Sequence, residues 1–111
     1  GLDGATDLVI SAVRQKLSLP ENFLLAVGHF EERKNYLRLI EALSILRDRG
    51  RSCSLVIIGN DNGGRNILEN KIESLNLSRH VQILSGLSDL EVRSAYKLLL
   101  PLSPILHRKG I

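Results

Sequence analysis

A chain of 111 residues and 12.3 kDa is sized for one domain, long enough to bury a core and too short to hold two. With 43% hydrophobic and 24% charged residues and a mean hydropathy of +0.03, burial can offset chain entropy, which excludes intrinsic disorder. The net charge of +3 and pI near 9.4 are mildly basic, but Phe23, Phe30, Tyr36 and Tyr96 are the only aromatics and interleave with no basic run, so nucleic-acid binding is not indicated.

No basic-then-apolar leader opens the chain. Leu8, Val9, Ala12, Val13 and Leu17 recur at three- and four-residue spacing behind caps at Thr6 and Asp7, which predicts a helix from Thr6 to Leu17. Pro20 stops it, and Phe23 to Val27 is a short apolar run closed by Gly28, the pattern of a strand buried on both faces. Tyr36, Leu39, Ile40, Leu43 and Leu46 then form the apolar face of a second helix, with Asn35 placed to cap its start and Gly50 to end it in a left-handed conformation. Arg47, Arg49 and Arg51 cluster at that end, where cations offset open carbonyls and the negative pole of the helix dipole, so they require no ligand.

The single cysteine, Cys53, excludes an intramolecular disulfide and, without a His/Cys cluster, a structural zinc; it fits a reducing cytoplasm and reads as a small core residue without a chemical role. Ser54 to Ile58, ending at Gly59, repeats the buried-strand pattern, and Asn60 to Arg65 is a polar, Gly-rich loop in which Gly63 and Gly64 read as a surface turn. Leu68, Ile72 and Leu75 mark a third helix. Val81 to Leu84 is a third strand ending at Gly86, and Ser88 with Glu91 forms a capping box ahead of Val92, Ala95, Tyr96 and Leu99. Leu100 to Ile105 begins a fourth strand, which Pro101 and Pro104 confine to an edge or make irregular. The longest apolar stretch, Leu98 to Leu106, is interrupted by Pro101, Ser103 and Pro104 and is too short to span a membrane. His107, Arg108 and Lys109 read as a fraying polar terminus.

Alternating strands and helices call for an α/β fold with a Rossmann-like open parallel sheet and crossover helices, because parallel neighbours cannot be joined by hairpins. Ligands of such sheets collect beyond the carboxyl ends of the strands. The first of these loops runs from Gly28 through His29 and Phe30 to Arg33, Lys34 and Asn35, setting two cations at the start of a helix. A cation pair there opposes the helix dipole at a cost of a few tenths of a kcal/mol, roughly. An anion explains the placement, and free amides, a positive dipole end and two cations suit a diphosphate. Taken alone, an Arg-Lys pair is ordinary solvated surface, and position is what singles this one out. The loop has neither the Gly-x-Gly-x-x-Gly dinucleotide fingerprint nor a Lys-Ser/Thr phosphate-loop ending, which argues against hydride transfer and ATP hydrolysis.

At these residues the sequence resembles the retaining, two-Rossmann-domain glycosyltransferases called group 1, of GT-B architecture, in their C-terminal, sugar-nucleotide-binding domain. Leu24 to Leu43, LLAVGHFEERKNYLRLIEAL, is similar to the family's strand, glycine, Arg-Lys-Asn loop and helix. LVIIGNDNG from Leu55 and HVQILSGLSDLEVRSAYKLL from His80 resemble its next two strands with their loops, and GLDGATD resembles the end of its interdomain hinge. The resemblance covers residues 1 to about 99. It implies that Lys34, supported by Arg33 and beside Gly28, meets the donor diphosphate, and that the Gly86–Leu87 step lies beside the nucleobase. It also implies a hexosyltransferase that takes a sugar from a UDP-, GDP- or ADP-linked donor to a saccharide or lipid acceptor, without a metal or other cofactor.

Two departures qualify this. His29 stands where many members carry arginine. After Leu100, where the family continues into a Glu-Gly-Phe-Gly-like stretch and a second glutamate, the chain reads LPLSPILHRKGI, and no glutamate follows Glu91. The resemblance therefore predicts one partial domain, 1–111, with a divergent tail at 100–111, a donor-binding fragment that holds no catalytic residue and lacks the acceptor domain. It is expected in the cytoplasm, with the full-length enzyme at the inner membrane surface, and an open sheet edge predicts self-association. Two other readings compete. One is a non-catalytic nucleotide-binding or protein-interaction domain derived from a glycosyltransferase. The other is a receiver of flavodoxin-like type, which would need a magnesium-binding carboxylate cluster where the third strand instead ends Leu84, Ser85, Gly86.

Overall fold

The computed structural model describes residues 7–29, 33–60, 64–99 and 105–107. They form, in chain order, α1 (Asp7–Leu17), β1 (Leu24–His29), α2 (Arg33–Asp48), β2 (Leu55–Asn60), α3 (Arg65–Ser74), β3 (Val81–Leu84), α4 (Asp89–Lys97) and β4 (Ile105–His107). The strands make one sheet in the order β3-β2-β1-β4, and every pairing is parallel. The Rossmann-like open parallel sheet expected from the alternation of elements is thus the observed architecture.

Period-two alternation divides the strand residues between two cores. Ala26, Leu55, Ile57, Val81 and Ile83 pack with Tyr36, Ile40 and Leu43 of α2 and Leu68 and Ile72 of α3. On the other face Leu25, Val56 and Ile58 pack with Phe23, Leu19 and Ala95 of α4, joined by Val27, Leu84, Val92 and Tyr96. Burial on both sides is why these strands read as continuous apolar runs. The chain steps outward from β1 to β2 to β3 and then returns past both to place β4 on the far side of β1. Crossovers of constant hand put α2 and α3 on one face and α4 on the other once that direction reverses.

Several local expectations change. The second helix starts at Arg33, so Asn35 is the third residue of α2, exposed in its first turn, and does not cap it. Arg33 and Lys34 are good helix formers and extend the helix upstream. β1 and β2 each continue one residue past their glycine, because Gly28 pairs with Gly59 and His29 with Asn60. Asn60 therefore belongs to a strand and Arg65 to a helix, and neither is loop. The described part of the fourth strand, β4, is Ile105–His107, the outer strand beside β1 among the described residues, while residues 100–104 lie outside them. His107 is paired with Val27 in that strand, where the sequence had suggested a frayed end; Arg108 and Lys109 lie outside the described residues.

Arg47 stands in the last turn of α2, where a cation was expected, and its reach goes further. Arg47 also donates to the carbonyls of Leu75 and Asn76 at the end of α3, the latter at 3.3 Å. A cation at one helix terminus thus satisfies the open carbonyls of its neighbour.

Candidate functional site

The strand order reverses between β1 and β4, and beyond the carboxyl ends of the strands an open parallel sheet leaves a crevice. Val27 and Gly28 at the end of β1, Ile58 and Gly59 at the end of β2, Gly86 and Leu87 after β3, and Val92 in the first turn of α4 line one cavity of about 260 Å³ there. That is below the roughly 300–1,000 Å³ of pockets that enclose a drug-sized ligand, so it suits one moiety of a larger molecule. Three of the five residues singled out in the sequence, Gly28, Gly86 and Leu87, meet in it.

Local structure explains this. Gly86 has φ +70, a left-handed conformation that turns the chain away from β3, and Ser88 then caps α4. The Ser88 hydroxyl accepts from the Glu91 amide at 3.1 Å while the Glu91 carboxylate accepts from the Ser88 amide at 2.9 Å, the capping box foreseen from the sequence. Held between the end of β3 and this cap, the Gly86–Leu87 step forms one wall.

Arg33 and Lys34 are the first two residues of α2, the helix that follows β1. Their backbone thus opens a helix whose first turn carries no acidic residue; their side chains lie outside the described residues. Phe30, Glu31, Glu32 and Gly63 also lie outside them.

Single-residue reasoning missed Val27, Ile58, Gly59 and Val92 as lining residues, since apolar residues at strand ends look like core. It also missed Arg65, taken for loop, whose Nη1 donates to Ser85 Oγ at 2.9 Å and whose Nη2 donates to the Ile83 carbonyl at 3.1 Å. The signal available was a cation at a helix start one strand further along the sheet.

Cys53 lies at the opposite end of the strands, in a hollow of about 330 Å³ with Phe23, Ser54 and His80. Burial pushes its thiol pKa up, so it stays protonated and is a poor nucleophile. Among the described residues no group of three or more His, Cys, Asp or Glu side chains could hold a metal ion, and no helix is long and apolar enough to cross a membrane.

Fold and cavity define the class, an open parallel α/β unit with its crevice at the carboxyl ends of the strands. The family model for glycosyl transferases group 1 matches residues 10–100, and the chain belongs to that family. No curated protein and no solved structure matches it.

Proposed function

We propose that this chain supplies the donor site of a hexosyltransferase, binding a nucleotide sugar at the carboxyl ends of β1, β2 and β3 for transfer to a saccharide or lipid acceptor. The observation that carries the reading is the cavity that joins Gly28 to Gly86 and Leu87. In this reading the base rests against the Gly86–Leu87 wall. The diphosphate lies toward the start of α2, where free amides, the positive end of the dipole, Lys34 and Arg33 meet its charge without a metal ion. A lone free cysteine suits the reducing cytoplasm, where such donors are held, and a lipid acceptor would bring the enzyme to the inner membrane surface.

Thermal melting with uridine, guanosine and adenosine diphosphates tests this. Each charge-assisted contact to phosphate contributes about 1.5–3 kcal/mol. Two such contacts beside an open cavity that holds one moiety give an affinity of about millimolar. Ligand at about one hundred times its dissociation constant stabilises the fold by roughly 2.7 kcal/mol. Lys34→Ala removes most of that gain, whereas Lys97→Ala, in the last turn of α4, leaves it intact. Equal small shifts in wild type and Lys34→Ala would reject the phosphate site.

A further inference from the structure

Arg65 occupies a place that neither the core nor helix formation requires. It opens α3, a helix already anchored in the core by Leu68 and Ile72. Its Nε lies 3.6 Å from Glu69 Oε2, one turn along, while its two terminal nitrogens reach across to the end of β3. The side chain is 31% exposed, so these bonds are partly shielded from water.

The direction of the strand carbonyls shows what the guanidinium does. The carbonyl of His80 accepts from the Leu55 amide at 2.7 Å and so faces β2. Alternation along the strand then turns the carbonyls of Gln82 and Leu84 toward β2 and that of Ile83 away from it. Among the described residues β3 is the outer strand on that side. Arg65 therefore stands in for a neighbouring strand at the last outward carbonyl before the chain leaves the sheet. Its other bond holds Ser85, and the next two residues are Gly86 and Leu87, the cavity wall. One planar group bonded to Ile83 and Ser85 sets both the position and the direction of the strand exit. The ammonium of lysine, a point charge without the fork, would not hold both in that geometry.

We propose that Arg65 is a positioning residue for base recognition. Acting through Ser85, it fixes the Gly86–Leu87 turn so that the backbone of this wall is preset for the base of a nucleoside diphosphate. The proposal rests on the nucleotide reading above and adds to it a residue that does not itself line the cavity.

Titrations of wild type, Arg65→Gln, Arg65→Lys, Ser85→Ala and the Arg65→Gln/Ser85→Ala double variant with uridine, guanosine and adenosine diphosphates and with inorganic pyrophosphate test it. Each single variant is expected to weaken the favoured nucleoside diphosphate by roughly three- to ten-fold, with lysine failing to rescue, and to narrow the spread between the three bases. Pyrophosphate, which has no base, is expected to bind all variants as it binds wild type. The double variant should be no weaker than the worse single one, because both changes cut the same link. Ser85 is half-buried and small, so Ser85→Ala decides the matter even where an Arg65 variant folds poorly. Unchanged nucleotide affinity, an equal loss for nucleotide and pyrophosphate, or additive losses in the double variant would overturn the role of Arg65 and leave the nucleotide site standing. Absence of nucleotide binding by wild type would overturn both.

Discussion

Ser18, Gly50 and Asn76 follow the ends of α1, α2 and α3 with φ of 53, 81 and 57, all in the left-handed region. In each case the next amide reaches back to a carbonyl five residues earlier: Leu19 to Arg14 at 3.0 Å, Arg51 to Leu46 at 2.8 Å and Leu77 to Ile72 at 2.9 Å. These are Schellman turns, and at two of them the following leucine is driven into the core. Glycine takes this conformation freely, whereas a residue with a Cβ is strained by roughly 1–2 kcal/mol. Ser18→Gly is therefore expected to raise stability by about 1 kcal/mol. Gly50→Ala should lower it by about the same amount, through backbone strain alone, because a Cβ there meets no atom within 4 Å. Urea midpoints at constant slope measure both. Gly50 was legible from its residue type. Ser18 was not, since serine is as common before a helix as after one.

At the scale of elements, α4 shows how a local signal becomes a tertiary contact. The Ser88–Glu91 box was readable from spacing alone, but the same Glu91 carboxylate also lies 2.9 Å from Lys16 of α1, which only the packing of α1 on α4 brings near. The hydrogen bond from the Ser88 amide, followed by that from Lys16, holds the Glu91 carboxyl below the usual glutamate range. A lowered folded-state pKa means stability that is present above the ordinary, unfolded value and lost as pH falls through the folded one. The acid limb of the stability profile should therefore steepen there, and Glu91→Gln should flatten it while changing little at alkaline pH beyond the lost charge. Ser88→Ala is expected to cost about 1 kcal/mol at neutral pH by leaving a first-turn amide uncapped. Chemical denaturation across the acid range separates these effects. A fall in stability of the same shape in wild type and Glu91→Gln would assign the acid limb to other carboxylates.

For the whole molecule, the order β3-β2-β1-β4 creates the crevice by sending the chain back past its starting strand. The site is thus assembled from residues nearly sixty positions apart, Gly28 and Leu87, that share only their place at the strands' carboxyl ends. Membership of the group 1 glycosyl transferases makes sugar transfer the general activity. We expect the 111 residues by themselves not to catalyse it. In the reading proposed above, Lys34 and Arg33 hold the donor diphosphate, and neither cation can act as a base on an acceptor hydroxyl. Turnover of a nucleotide sugar by the purified chain, lost in Lys34→Ala, would contradict this.

Apolar runs closed by Gly28, Gly59 and Gly86, with helical periodicity between them, were enough to determine a parallel α/β sheet, because a strand buried on both faces and a one-sided helix each leave a distinct pattern in a single chain. Arg33 and Lys34 stood out for a related reason, since their charge runs against the dipole of the helix they open. Tertiary structure alone decided that Arg47 caps α3, that Glu91 meets Lys16, that Arg65 closes the edge of β3 and that β4 returns beside β1. Each of these joins groups distant in sequence through geometry that follows from the packing of whole elements, and neither local propensity nor periodicity carries information about which distant partner a side chain will meet.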